Sequence, residues 1–323
     1  MPNPSDKGAE YVADERVIDP GTYEIVTYND AAHAITAYLE QRLQSVFRRW
    51  PARPVVMLSG GVDSILMASF AADQRPNALA VTFSQESSAE AQEEAEAAAE
   101  VATILGLEHV VLSPSASELR SLLASTVRRL DTSEPWEVLA GLVVHAVDQE
   151  ACRRGATGAL LSGGGADALF LGGEPLDPQH DNYLEAWDAK VRAKVEANFR
   201  RERFIPDFYE RLIDDPDRHV QVWQTHAAVD LALSLHPQVT RGEDLAGDKV
   251  IFRRLAVQRG IPERLVALQK NPLQVSSGGI SGIVDVARRD LTAQFGERTY
   301  SDPLLEPLDF TVARLFLNTL LER

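Results

Sequence analysis

Six consecutive residues, Ser59-Gly60-Gly61-Val62-Asp63-Ser64, combine the groups needed to hold a chain of phosphates. Gly60 and Gly61 have no side chains, so their backbone N–H groups can approach an anion closely. Ser59 and Ser64 add hydroxyl donors. Asp63 is the most informative of the six: a carboxylate beside an anion is repelled unless a divalent ion such as Mg2+ lies between them. Further along, Gly163-Gly164-Gly165 precede Asp167. The phosphate loop GxxxxGK[ST] is absent, and the spacing differs from the GxGxxG of dinucleotide binders. Taken alone, Ser-Gly-Gly is equally a tight turn between a strand and a helix; the completed hexapeptide narrows the reading to phosphate.

Such a loop needs a strand to deliver it and a helix N-terminus to follow it, because the helix dipole adds positive charge there. Residues 53–58 form a short apolar run that reads as a buried parallel strand, and 63–73 read as a helix. A second strand follows at 77–83, then an alanine- and glutamate-rich helix at 88–105 ended by Gly106. Residues 108–112 read as a third strand, 115–130 and 136–154 as helices, and 158–161 as a fourth strand running into the second glycine cluster. Repeated β–α units of this kind predict an α/β fold, a Rossmann-like doubly wound parallel sheet that binds its ligand at the carboxyl ends of the strands. Both glycine clusters fall at strand ends.

Ahead of the first strand, residues 1–28 read as an irregular arm broken by Pro2, Pro4, Pro20 and Gly21. A helix over 29–50 shows Ala32, Ile35, Leu39, Leu43 and Phe47 on one face, with Asn29 or Asp30 as its cap. Beyond Glu174 strand signals fade, and 183–203, 205–214, 218–235, 248–259, 279–295 and 308–322 read as helices. The expected organisation is an N-terminal arm and helix (1–50), a nucleotide-binding α/β domain (51–175) and a helical substrate region (176–323).

The composition is that of a soluble globular protein, with 45% hydrophobic and 25% charged residues. The net charge of −16 argues against a nucleic-acid partner, since binding phosphates along a strand calls for a basic face. No apolar run reaches the ~20 residues of a membrane span, and the N-terminus lacks the pattern of a signal peptide, so a cytoplasmic location is expected. Cys152 alone makes neither a disulfide nor a cysteine zinc site and reads as a small apolar residue in a helix. His145, His219, His226 and His236 have no metal-ligand spacing; Trp136, Trp187 and Trp223 read as core, and His109 as structural.

The hexapeptide resembles the loop of the ATP pyrophosphatase (PP-loop) superfamily, within the adenine nucleotide alpha hydrolase-like fold. Four segments resemble one branch of it, the synthetase domain of asparagine synthetase with its relatives β-lactam synthetase and lasso-peptide cyclase. These are Leu58–Ser64, Val81-Thr82-Phe83-Ser84, Leu160–Gly173 and Gln269–Gly278. The resemblance implies that Ser59, Gly60, Gly61 and Ser64 hold the ATP phosphates, and that Asp63 and Asp167 ligate Mg2+. It places Leu58, Val81, Phe83 and Gly163, with Thr82 at the same strand end, around adenosine. Lys270 corresponds to a lysine that stabilises charge on the reacting phosphorus, and Lys249 corresponds to a second family lysine. The chemistry is consistent with this, since adenylation builds negative charge that a metal ion and a positioned ammonium offset.

Two departures matter. Residue 2 is Pro2, and fewer than 60 residues precede the loop, so no glutaminase domain is expected and the nitrogen is ammonia, a substrate amine or the product of a separate amine-supplying or carrier protein. Where the family has glutamate or tyrosine to assist deprotonation, this chain has Gly164, and Ala168 follows Asp167 in place of the usual glutamate. Candidate bases are Glu174, His180, Asp181, His226 and Asp230, or the nucleophile arrives as free amine. The leading expectation is an ATP-dependent ligase that adenylates a small carboxylic acid for attack by an amine or ammonia, in specialised metabolism such as antibiotic biosynthesis, with a homodimer as the candidate assembly. The alternatives are a tRNA-modifying enzyme of the same superfamily, disfavoured by the acidic balance, and a non-catalytic nucleotide-binding subunit, supported only by Gly164 and Ala168.

Overall fold

Short apolar runs with no polar face must be covered on both sides, which a parallel sheet between two helical layers provides. The computed structural model, which describes residues 10–85, 88–174, 182–202, 205–267, 276–295 and 302–321, has this arrangement. Among the described residues, α1 (Val12–Glu15) lies in the N-terminal arm and α2 (Tyr28–Arg49) follows. Three β–α units come next: β1 (Val55–Met57) with α3 (Val62–Gln74), β2 (Leu79–Phe83) with α4 (Ala89–Ile104), and β3 (Glu108–Leu112) with α5 (Ala116–Leu130). α6 (Pro135–Arg153) leads into β4 (Leu160–Ser162) and α7 (Ala166–Leu169). The remainder is α8 (Tyr183–Asn198), α9 (Phe208–Leu212), β5 (His219–Gln221), α10 (His226–Ser234), α11 (Pro237–Arg241), α12 (Val250–Gln258), α13 (Glu263–Val266), α14 (Gly279–Phe295) and α15 (Leu308–Leu321).

The strands are all parallel, in the order β3-β2-β1-β4-β5. The chain moves outward from β1 to β3, then crosses to the other side of β1 for β4 and β5. This reversal between β1 and β4 opens a crevice at their carboxyl ends. Successive strand residues face opposite layers. Val56, Ala80, Leu161 and Val220 enter the core built by α2, α3, α8 and α12, whereas Val55, Leu79, Val81, Phe83 and Leu160 enter the one built by α5 and α6.

Two local expectations are corrected. Thr27, rather than Asn29 or Asp30, caps α2; its Oγ1 accepts the Asp30 N–H at 3.2 Å, and Asp30 favours the dipole from the first turn. The stretch 218–235 is not one helix: it holds β5 and then α10, whose N-cap is Thr225. Three residues are too few to display a strand's period, and β5 is a strand because it pairs with β4 in register, Leu160 to His219 and Ser162 to Gln221. From residue 10 onward the arm, irregular apart from α1, is docked. Glu10 N–H donates to the Gln224 carbonyl at 3.1 Å, Val12 is fully buried, and Ile25 forms a parallel bridge with Leu235.

Behind the strand tips, Trp223 stacks between Tyr38 and Phe252, with ring centroids at 5.3 and 5.0 Å, and Phe170 meets it edge-on. Trp187 and Trp223 are thus core residues as read, but Trp136 is 51% exposed at the start of α6. Cys152 is exposed near the end of the same helix. His109 is structural: Thr82 donates its hydroxyl to the Leu58 carbonyl at 2.6 Å and accepts from His109 Nε2 at 2.8 Å, tying the tips of β1, β2 and β3 together.

Candidate active site

The crevice is built from two similar strand–glycine–helix turns lying side by side. In the first, Leu58 to Gly61 connect β1 to α3 and place Asp63 in the opening turn of that helix. The loop winds around Ser64: the Ser59 N–H donates to Ser64 Oγ at 3.0 Å, and Ser64 Oγ lies 2.9 Å from the Gly61 carbonyl oxygen, to which it can donate. Ser64 therefore shapes the loop from within, whereas Ser59 lies nearer the opening. Gly60 has a separate reason to be glycine. A Cβ there would stand 3.2 Å from Glu94 Cγ, so the missing side chain lets the loop approach α4.

In the second turn, Ser162 is followed by the three glycines and α7. Gly165 has φ of +97°, a left-handed conformation that favours glycine, and it starts α7 so that Asp167 falls in the opening turn. Gly163 lies against the first turn, where a Cβ would come within 3.1 Å of the Asp63 backbone carbon and Cβ. The register of β1 with β4 sets the tips together, and this glycine lets them close.

Lys249 joins the two. It arrives from 186 residues beyond Asp63, as the N-cap of α12, and its Nζ donates to Asp63 Oδ2 at 2.6 Å and to Asp167 Oδ1. Lys249 is 1% and Asp63 3% exposed, whereas the Asp167 side chain is half exposed toward the crevice. The φ of +47° at Lys249 is uncommon for a residue with a side chain and directs the lysine back toward the strand tips. Gly172 packs directly on this triad: a Cβ there would be 2.2 Å from Asp167 Oδ1 and 2.8 Å from Lys249 Nζ. Gly173 N–H donates to Asp248 Oδ1 at 3.1 Å, fastening the segment after α7 to the turn that presents Lys249.

Leu58, Ser59, Asp63, Ser64, Val81, Thr82, Phe83, Gly163 and Asp167 all line one cavity of about 270 Å3, with Gly60 and Gly61 in the loop behind them and Lys249 beneath. A groove of about 840 Å3 lies between β3, α5 and α6, but of the anticipated site residues only Phe83 reaches it, so the smaller cavity is the candidate site. Lys270 lies outside the described residues, as do His180 and Asp181. Past that point the chain returns at Ser276 and Ser277 on the cavity wall, where the Ser277 carbonyl accepts the Gln85 N–H at 3.0 Å.

None of the other candidate bases lines the cavity. Glu174 pairs with Lys194 at 2.7 Å, and the hydrogen bond and charge of that lysine hold its carboxyl below the usual range. His226 bonds Glu15 at 2.6 Å, and Asp230 pairs with Arg16. The space beside Gly164 is taken instead by Gln221, whose Oε1 would be 2.8 Å from a Cβ at 164. His219, two residues earlier on the same strand face, lines the cavity with Tyr209, their rings 4.4 Å apart. Burial, helped by the Arg218 charge, lowers the His219 pKa to about 4, so its imidazole is neutral near pH 7. Sequence reasoning missed Gln221, His219 and Tyr209, because β5 lay hidden in a stretch read as one helix and the helix read over 205–214 carried no motif; Gly172 lay inside a quoted segment without a role.

The Asp63 and Asp167 carboxylates are a candidate Mg2+ site by their donor set. They converge on one cation, the Lys249 ammonium, and no cluster of three or more acidic, histidine or cysteine ligands exists among the described residues. Two carboxylates with the rest of the coordination left to phosphate and water is the usual Mg2+ arrangement beside a nucleotide, so the residues fit.

The family described as asparagine synthase matches residues 49–219, more than half of the chain. No curated protein matches significantly. Among solved structures, an NMN synthetase from Francisella tularensis is similar at 14% identity, covering 76% of this chain and 98% of that one with a TM-score of 0.35. An NH3-dependent NAD synthetase from Campylobacter jejuni subsp. jejuni, in complex with nitrate, is similar at 13% identity, covering 78% of this chain and 95% of that one with a TM-score of 0.33.

Proposed function

We propose, because the chain belongs to the asparagine synthase family, that it is an ATP-dependent amide ligase that activates a carboxylate as its adenylate, releasing pyrophosphate, and transfers the acyl group to ammonia or an amine, releasing AMP. The observation that carries this reading is the meeting of Asp63 and Asp167, from the tips of two adjacent strands, on the single ammonium of Lys249. A turn that served only to connect a strand to a helix has no need of two carboxylates and a buried lysine.

Each residue then has a task. The amides of the Gly60–Gly61 loop and the N-terminal end of α3 attract the phosphate chain. Asp63 and Asp167 would hold Mg2+, which when bound offsets the charge of the phosphates and the departing pyrophosphate. Lys249 keeps a second positive charge at the same point and, buried as it is, acts through a medium of low dielectric. Leu58, Val81 and Phe83 offer adenosine an apolar wall on the β2 side. The acid and its nucleophile then belong on the opposite side, against Gly164, Gln221, His219 and Tyr209. Lys270, by its match to the family lysine, would stabilise charge at the reacting phosphorus.

The test is isotope exchange between labelled pyrophosphate and ATP in the presence of Mg2+ and a panel of carboxylic acids. Acid-dependent exchange, with AMP formed once an amine is added, is the expected result. Cleavage to ADP and phosphate would exclude the adenylation chemistry. One observation favours a second reading: Gln221 fills the place where relatives carry a base. A nucleotide-binding subunit without turnover would bind ATP yet give no exchange across the panel.

A further inference from the structure

Beyond the Gln221 side of the candidate site lies a second cavity, of about 490 Å3, beside β5, the last strand of the sheet. Tyr209, His219 and Gln221 line both cavities, so the two meet at these three side chains. Two of the three are polar and buried, His219 at 5% and Gln221 at 7% exposed, yet neither side chain has a hydrogen-bond partner among the described residues. Buried polar groups are nearly always paired, and leaving them unpaired is costly, so this wall is built to bond something that occupies the cavities. An imidazole and an amide can both accept an N–H from such a molecule.

The outer cavity is unevenly charged. Arg49 pairs with Asp217 at 3.2 Å and Arg201 with Glu210 at 2.6 Å, which engages both of its arginines. Asp14 and Glu15, exposed at the mouth on α1 of the N-terminal arm, have no arginine or lysine side-chain partner among the described residues. Asp14 accepts the Arg201 backbone N–H at 2.8 Å, and Glu15 meets the His226 ring at 2.6 Å. Pro216 and the rings of Tyr11 and Tyr209 supply apolar wall. Surplus carboxylate at the mouth attracts a cation and repels an anion. Of the two reactants that must meet the nucleotide, the acid arrives as a carboxylate and the amine as an ammonium, so the charge selects the amine. Ammonia needs neither this room nor an apolar wall; an amine with a carbon skeleton uses both.

We propose, resting on the adenylation reading above, that the outer cavity admits the nucleophile, and that this nucleophile is an organic amine rather than free ammonia, steered past His219 and Gln221 to the acyl group. In the step it serves, the lone pair of the amine nitrogen forms the C–N bond to the acyl carbon. The C–O bond to the phosphate breaks, and its electron pair leaves on AMP. The two protons that an ammonium sheds on becoming an amide N–H pass to solvent through the mouth.

The test compares the parent chain with Asp14→Asn/Glu15→Gln, which removes charge at the mouth and leaves the nucleotide site untouched. Acid-dependent pyrophosphate exchange needs no amine and should be equal in the two. With an acid that supports exchange, ethanolamine, putrescine and tyramine are compared with ammonium chloride. The best of these amines should exceed ammonia at least about tenfold in kcat/KM, through burial of its methylene groups. In the double variant its KM should rise about tenfold with kcat held, whereas hydroxylamine, small and uncharged near neutral pH, should form the hydroxamate at the parent's rate. If the double variant slows exchange as well, Asp217→Asn takes its place; it frees Arg49 of its carboxylate and should raise the same KM. Ammonium chloride matching every amine, or an amine KM indifferent to these substitutions, overturns the inference and leaves adenylation standing. Absence of exchange with any acid would instead bring down the adenylation reading, and this inference with it.

Discussion

Lys249 shows how much one residue holds in place here. Its ammonium is the shared partner of two carboxylates, one of them buried, so removing it leaves Asp63 as an uncompensated charge in the core. Lys249→Met should abolish turnover and lower unfolding free energy by about 3–5 kcal/mol, measured by urea denaturation. Adding Asp63→Asn to it should restore part of that stability with no return of activity. If Lys249→Met alone were as stable as the parent, the triad would not be the buried contact described. Asp63→Ala by itself is also expected to destabilise, because the ammonium would then lose a partner. His219 gives a prediction of opposite character. Its pKa falls from 6.5 when unfolded to about 4 when folded, so below pH 6.5 the unfolded chain binds the extra proton first. Stability should therefore fall between pH 6.5 and 4, by up to about 3 kcal/mol from this group. His145, also lowered by burial, adds to the same trend, so the His219 share is isolated by His219→Phe, which keeps a ring against Tyr209 and should flatten the loss. An unaltered acid limb in that variant would remove His219 as its source.

Elements set these residues with little freedom, and α12 is the clearest case. At its first end Lys249 reaches the opening turn of α3. At its last end Arg259 donates to Ser69 Oγ at 2.8 Å and to the Ser69 carbonyl at 3.0 Å, pairs with Asp73, and lies 3.7 Å over the Phe70 ring. α12 is thus pinned to α3 at both ends. Arg259→Ala should cost about 1.5–3 kcal/mol through its charged hydrogen bonds, and speed amide exchange across 250–258. Turnover should drop about tenfold, a misplacement effect, without loss of the overall fold. Exchange rates in α12 equal to the parent's would show that the pin is idle. Much at this scale was legible beforehand. β1 to β4 and the helices between them follow from apolar runs, caps and glycines, and Ser59 to Ser64 sits where that reading puts it. β5 was not legible, because His-Val-Gln has no period to detect and becomes a strand only by pairing with β4. For the same reason the cavity side formed by Gln221 and His219 was invisible, and the left-handed backbone at Lys249 follows from tertiary contacts that no local pattern encodes.

For the molecule as a whole, the arrangement predicts coupling between nucleotide and stability. Ligand bound at the crevice touches both glycine turns and the segment returning at Ser276, so ATP with Mg2+ should raise the melting temperature. At about 100 times the dissociation constant the gain is roughly 2.7 kcal/mol, a shift of several degrees by calorimetry. The shift should shrink when Mg2+ is replaced by EDTA, and shrink further in Asp167→Asn, whose half-exposed side chain makes it the milder lesion of the triad. A shift of equal size in Asp167→Asn would detach that carboxylate from nucleotide binding.

The long reach from Asp63 to Lys249 also governs the history of each molecule. While the protein is being synthesised, β1 to β4 and both aspartates leave the ribosome well before the lysine that unites them, 186 and 82 residues behind. A nascent chain at that stage holds two neighbouring acids with no ammonium between them, and until residue 221 has emerged it lacks its fifth strand as well. The triad of Asp63, Asp167 and Lys249 therefore cannot come into being piecemeal. A chain cut short before residue 249 would leave both carboxylates without the ammonium they share.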